Sequence, residues 1–231
     1  MNTAHRTPLI WPAGFKTPAQ GIFISFEGIE GCGKSTQLKN LEQYLAKNKE
    51  LKYSLVREPG STVFGEHLRQ AILQSTEPLH PLAEAYLFAT ARAQLLAQTI
   101  LPALARQEIV IADRYLDSSL AYQGMARHLG LATILAIHQY EPLCTLPHLT
   151  FYLRISPEVS QERQRQRAQQ ADYFEQQPLA FYQSLVEGYD QVAAACPQRY
   201  RVLDGTRPPE EIFGRIVAAL KEHWPHQAWP C

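Results

Sequence analysis

The stretch "GIEGCGKS" (28–35) constrains this chain more than any other. It fits the pattern G-x-x-x-x-G-K-[ST], follows the apolar run "GIFISF" (21–26), and opens a helical pattern. In that setting the glycines let the backbone curl until its N–H groups and the start of the next helix face an anion. Lys34 then reaches the β- and γ-phosphates of a nucleoside triphosphate, and Ser35 can hold Mg²⁺. Such a loop is an unfavourable place for a second negative charge, so Glu30, in its middle, needs a partner.

Four further short apolar runs, 52–56, 108–113, 149–155 and 199–204, read as strands, and the clearest helical patterns cover 36–48, 63–74, 80–105, 157–170 and 209–222. This alternation predicts an α/β chain: a P-loop NTPase fold with a parallel five-stranded sheet and helices on both faces. In such sheets ligands bind beyond the carboxyl ends of the strands. The first strand runs into the glycine loop, the second ends at "REPG" (57–60) and the third at "DRY" (113–115), so three strands deliver polar motifs to one end. At 231 residues, 45% of them hydrophobic, the chain suits one domain with a sizeable core, expected over 21–225. Residues 1–20 contain three prolines and no apolar run of signal-peptide length, and read as an irregular arm.

Lys+Arg and Asp+Glu both number 22, so there is no global field for nucleic acid or an anionic membrane. The apolar stretch 85–105 is interrupted by Arg92, Gln94, Gln98 and Pro102, which argues against a membrane span. Cys32, Cys144, Cys196 and Cys231 form no C-x-x-C pair and show no metal-ligand spacing, which fits reduced thiols in a cytoplasm.

Asp113 ends a buried run where a Walker-B acid would support the metal; capping the next turn is the alternative. Arg57 and Arg114 directly follow apolar strands. Either alone could snorkel to solvent, but two beside a triphosphate site point to a clamp for a second phosphate, carried by the acceptor. Arg92 is the only charged residue between Glu84 and Arg106, and Phe88, four positions earlier, shares its helical face. The pair suits a flat heterocycle, stacked on the ring with a carbonyl edge toward the guanidinium; a core aromatic beside a surface arginine is the plainer alternative. The Gln- and Arg-rich stretch 160–177 reads either as a solvated helix face or as a mobile lid. Arg163 and Arg167 share one face there, whereas Arg165 points nearly opposite.

The motifs "FEGIEGCGKST", "REPGST", "FATAR", "DRYLDSSLAYQG" and "RQRQR" resemble, in this order, those of thymidylate kinases, over about residues 21–221. The resemblance implies a fold of the nucleoside monophosphate kinase type, with ATP and dTMP as substrates, Mg²⁺ as cofactor and a homodimeric assembly. It places ATP on Gly28, Ile29, Glu30, Gly31, Cys32, Gly33, Lys34, Ser35 and Thr36, the metal on Ser35 and Asp113, and adenine beside "DGTRP" (204–208). It places the dTMP phosphate on Arg57 and Arg114, thymine on Phe88 with its carbonyl edge at Arg92, and the nucleoside against Ser118, Tyr122 and Gln123, with Tyr122 disfavouring a ribose 2′-hydroxyl. Glu30 would face the 3′-hydroxyl of the acceptor sugar. Gly31 stands where other members carry an arginine, so the loop resembles the bacterial type. The burden of stabilising the transferred phosphoryl group then falls on Lys34, Arg114 and the lid arginines Arg163, Arg165 and Arg167. Departures from the family pattern are Ser61, His148, Arg154 and Tyr173.

A nucleoside kinase would leave Arg57 and Arg114 facing an empty phosphate site; a monophosphate kinase of different base preference is the nearer alternative. A P-loop GTPase switch is disfavoured, because "KNKE" (47–50) lacks the Asp of the guanine-reading N-K-x-D motif.

Overall fold

The computed structural model describes residues 9–75, 77–166, 174 and 176–230. The strands β1 (Ile22–Glu27), β2 (Tyr53–Arg57), β3 (Ile109–Asp113), β4 (Leu149–Arg154) and β5 (Tyr200–Asp204) form one sheet in the order β2-β3-β1-β4-β5, all pairings parallel. Each expected strand is present, with ends displaced by at most one residue. All six residues of β1 are buried, which is why it reads as a continuous apolar run and not as an alternation. Asp113 is in register with both Phe26 and Arg57, so the carboxyl ends of β1, β2 and β3 lie level.

Among the described residues, nine α-helices and two π-helical segments flank or connect these strands. α1 (Lys34–Leu45) packs on β1 and β3 and against α9 (Pro209–His223), and α2 (Val63–Leu73) packs against α3 (Pro81–Leu95). Thr62 and His80 cap the first turns of α2 and α3 with side-chain acceptors, and Ser156 does so for α7 (Pro157–Arg165). α1 begins instead at Gly33, in the left-handed region at φ 99°, with no side-chain cap, which leaves its first N–H groups for a ligand.

The helix expected over 80–105 is divided: α3 passes through a π-helical turn (Leu96–Ile100) into α4 (Leu101–Ala105). Pro102 has no N–H and its ring crowds the carbonyl of Gln98, so the widened turn removes the conflict. After β3, α5 (Leu116–Ser119) widens in the same way over Leu120–Ala126, and α6 (Leu131–Ile137) follows. α8 (Leu179–Ala195) was not among the expected helices; it packs on the 120–126 segment through Gly188, whose added Cβ would come within 3.0 Å of the Ala121 Cα.

Residues 9–20 of the expected arm are tied to the domain. Lys16 bridges Thr145, and Trp11 lies 5.2 Å over Arg199, which grips the buried Asp117 with two bonds of 2.7 and 2.8 Å. His148, just before β4, accepts from the Phe23 N–H at 3.0 Å and pairs through Nε2 with the Pro18 carbonyl at 2.9 Å.

Candidate active site

Two cavities, of about 480 and 950 Å³, open where β1, β2 and β3 end, and Glu30, Glu58, Arg69 and Arg114 line both. The larger is walled by Gly31 to Thr36, Arg57 and Asp113. Gly28 holds φ 138° at the start of the loop, and a Cβ there would stand 2.5 Å from the Leu153 carbonyl oxygen, so only glycine lets the loop lie against β4. Lys34 is buried, its ammonium donating to the Gly28 carbonyl at 3.0 Å. Asp113 Oδ1 is buried without a hydrogen-bond partner and shares the cavity with the Ser35 hydroxyl. One carboxylate oxygen and one hydroxyl fit a hard divalent cation that keeps much of its water shell.

Arg57 donates to Glu66 Oε2 at 2.7 Å from the cavity rim. Arg114 sits at φ 69°, a conformation a non-glycine residue keeps only where its surroundings fix it. Four contacts do so: its guanidinium donates to Glu30 Oε1 (2.7 Å), the Gly28 carbonyl (2.9 Å), the Tyr189 hydroxyl (3.1 Å) and Ser118 Oγ (3.3 Å). The Tyr122 hydroxyl donates to the same Glu30 oxygen at 2.6 Å, leaving Glu30 Oε2 without a partner. The charge within the loop thus has its partner just past the end of β3, the strand beside it. Below this group the buried Glu27 accepts from the Tyr115 N–H, Ser118 and Tyr189 at 2.8, 2.6 and 3.1 Å. Burial, and then the charge of Asp117, push its carboxyl up to about 8.

The smaller cavity holds the aromatic cluster. Phe88 and Tyr122 both meet Phe174 edge-to-face, at 6.2 and 5.4 Å, and Ser118 and Gln123 add polar groups. Arg92 is not among the described residues on its surface. It is 1% exposed and held from behind: Nε and Nη2 donate to Glu58 Oε2, and Nη1 to Ser119 Oγ at 3.1 Å and His138 Nε2 at 2.7 Å. Burial, and then the Arg92 charge, pull the His138 imidazole down to about 3, so it stays neutral, bonded through Nδ1 to the Ile134 carbonyl and accepting at Nε2.

The thymidylate kinase family pattern matches residues 26–216. The chain is 39% identical over 196 residues to the thymidylate kinase of Kosmotoga olearia, covering 85% of this chain and 93% of that one. It is 41% identical over 204 residues to that of Deinococcus radiodurans, covering 88% and 98%. The chain belongs to the thymidylate kinase family. Its fold agrees: the crystal structure of the thymidylate kinase from Ehrlichia chaffeensis superposes with a TM-score of 0.71 at 26% identity, over 87% of this chain and 99% of that one.

The sequence-predicted residues are not all brought to the cavities. Glu30, Arg57, Phe88, Arg114, Ser118, Tyr122 and Gln123 line one or both, as do the loop residues from Gly31 to Thr36; Gly28 and Ile29 shape the loop from beneath. Arg163 instead bonds the Gly31 and Gly205 carbonyls at 2.9 and 3.0 Å, bracing the glycine loop against the 204–208 turn. Arg165 is exposed at the end of α7, and Arg167 and Tyr173 lie outside the described residues. Arg154 pairs with Asp190 at 2.9 Å, away from the cavities.

Four contributors escaped the sequence: Glu58, Arg69, Phe174 and the supporting Tyr189. Glu58 lies within the recognised "REPGST", whereas Arg69, on α2, had no motif to mark it. Phe174 was readable only as an apolar residue within a Gln-rich stretch. No helix among the described residues is long and apolar enough to cross a membrane, and none of them form a cluster of three or more His, Cys, Asp or Glu placed for a metal.

Proposed function

We propose that the two cavities bind ATP and dTMP on either side of one polar wall, and that the γ-phosphoryl group crosses it to give dTDP and ADP. The observation that carries this reading is the shared wall itself: Arg114 and Arg69 supply cationic donors to both cavities where the two phosphates would meet.

On the ATP side the uncapped start of α1 and Lys34 bind the β- and γ-phosphates, and Ser35 and Asp113 hold Mg²⁺. Bound Mg²⁺ neutralises charge on those phosphates. The 204–208 turn, whose Gly205 lies close against Cys32, passes the adenine.

Arg57, from the rim of the larger cavity, and Arg114, from the shared wall, bind the dTMP phosphate where the two cavities meet, and the ring of Phe88 stacks on thymine. Arg92, behind the cavity surface, supports this pocket through its bonds to Glu58, Ser119 and His138. The unpartnered Glu30 Oε2 accepts from the 3′-hydroxyl, and Tyr122, fixed by Glu30, crowds a ribose 2′-hydroxyl. The acceptor phosphate is already an anionic nucleophile, so positioning and charge stabilisation do the work without a general base. Arginines in phosphoryl transfer contribute about 10³–10⁵ in rate, and Arg114, with Lys34, fills that role in the closed wall. Arg163 acts through the loop backbone that it braces, and Arg165 and Arg167 meet the phosphoryl group on lid closure.

We place the enzyme in the cytoplasm as a homodimer. The buried, unpaired Cys32 and Cys144 fit reducing surroundings, and Val63, Phe64, Leu82 and Tyr86 expose apolar surface on the packed pair α2 and α3.

The test is ADP release with dTMP, dUMP, UMP, dCMP, AMP and thymidine as acceptors. The expected result is highest kcat/KM for dTMP and almost none for thymidine. Preference for any of the last four over dTMP contradicts the reading.

A further inference from the structure

Behind the aromatic cavity, Glu84 of α3 is completely buried and sits between two side chains. One oxygen, Oε1, accepts from Gln123 Nε2 at 2.7 Å, and the other, Oε2, is 3.3 Å from Nε of Arg127. Gln123 is itself 1% exposed and lines the cavity. Its Oε1 is buried without a partner.

A carboxylate can only accept, so the end of the Gln123 amide that meets Glu84 must be the NH₂ end. The carbonyl oxygen is thereby turned the other way and presented as an acceptor. Without a carboxylate at this position the amide could rotate by half a turn and present a donor, because its two ends have nearly the same shape.

We infer that Glu84 is a specificity-determining positioning residue: it locks Gln123 with its carbonyl oxygen toward the base, and so selects a base that carries hydrogen at N3. The inference rests on the dTMP reading above. Thymine carries a donor at this edge, N3–H, which the Gln123 oxygen accepts. Cytosine carries a lone pair at N3 instead, which faces that oxygen with a second acceptor. In a buried site such a mismatch leaves polar groups unpaired on both partners, and sites built around a hydrogen bond discriminate far better than sites that sense shape alone.

Glu84→Gln is the direct test, because the charge of Arg127, 3.3 Å from Oε2, still favours an oxygen on that side. The substituted side chain then turns its own NH₂ toward Gln123, which must answer with its oxygen and present its NH₂ to the base. The measurement is the ratio of kcat/KM for dTMP to that for dCMP in wild type and variant. The expected result is a fall in that ratio by about 10- to 100-fold. Loss of activity on both substrates in equal proportion, with the ratio unchanged, means that Glu84 serves the fold only and overturns the inference.

If Glu84→Gln does not fold, Glu84→Met gives the same readout, since it too frees the amide. The wild-type enzyme adds a check that needs no variant: dTMP methylated at N3 is expected to lose at least about 100-fold in kcat/KM. Equal use of dTMP and its N3-methyl derivative overturns the inference while leaving phosphoryl transfer to dTMP intact. Absence of transfer to dTMP in the wild type would overturn the functional reading as well.

Discussion

Arg92 illustrates what a single residue can and cannot announce. Its isolation within an apolar helical pattern marked it as unusual, and the residue is indeed buried, with its charge met by Glu58. Its partners were not legible, because Glu58, Ser119 and His138 come from separate elements and are 34, 27 and 46 positions away. Glu30 is the same case: its charge was conspicuous in the loop, but Arg114 and Tyr122 lie 84 and 92 positions away. His138 carries a consequence for stability. In the unfolded chain an ordinary histidine takes up a proton as the pH falls through 6.5, whereas the folded protein resists until about 3. The unfolded state therefore binds more protons across that interval. The contribution of a neutral His138 is complete above about 6.5 and is lost progressively as the pH falls toward 3. Urea denaturation between about pH 7 and pH 4 should show wild type losing stability more steeply than His138→Gln, whose amide can accept from Arg92 without titrating. Parallel losses in the two proteins would rule out His138 as the source.

At the scale of elements, the strands were legible because a parallel sheet buried on both faces leaves near-continuous apolar runs, and β1, β3 and β4 are of this kind. α1 was legible from the glycine loop, although its missing cap shows only in three dimensions. The break after α3 was foreshadowed by Pro102, but a proline can end, kink or widen a helix, and the surrounding packing selects among these. α7 ends in the Arg-rich stretch, where spacing alone gave three arginines with two orientations; the fold gives Arg163 the backbone of the glycine loop. The exposed apolar residues of α2 and α3 bear on assembly. Val63 is 77% and Tyr86 54% exposed, more than a solvated helix face requires. Sedimentation at micromolar concentration should give a dimer for wild type and a shift toward monomer for Tyr86→Asp. A wild-type monomer would show that this pair of helices is not an interface between copies.

Across the whole molecule, equal numbers of acidic and basic residues conceal a strongly organised site. The strand ends lie level because β1, β2 and β3 are in register at Asp113, and this alone brings the glycine loop, Arg57 and Arg114 to one place. The sequence order of the motifs foretold that convergence. The division into two cavities with a common wall depended on α2, α3 and the 120–126 segment closing over the sheet, which no local pattern specifies. That wall makes the central claim directly testable by phosphorus NMR on enzyme supplied with ATP, Mg²⁺ and an equimolar mixture of dTMP, dCMP and AMP. The account predicts that the signals of dTDP and ADP rise in step while dCMP and AMP persist. Inorganic phosphate accumulating without dTDP, or dCMP or AMP consumed ahead of dTMP, would contradict it.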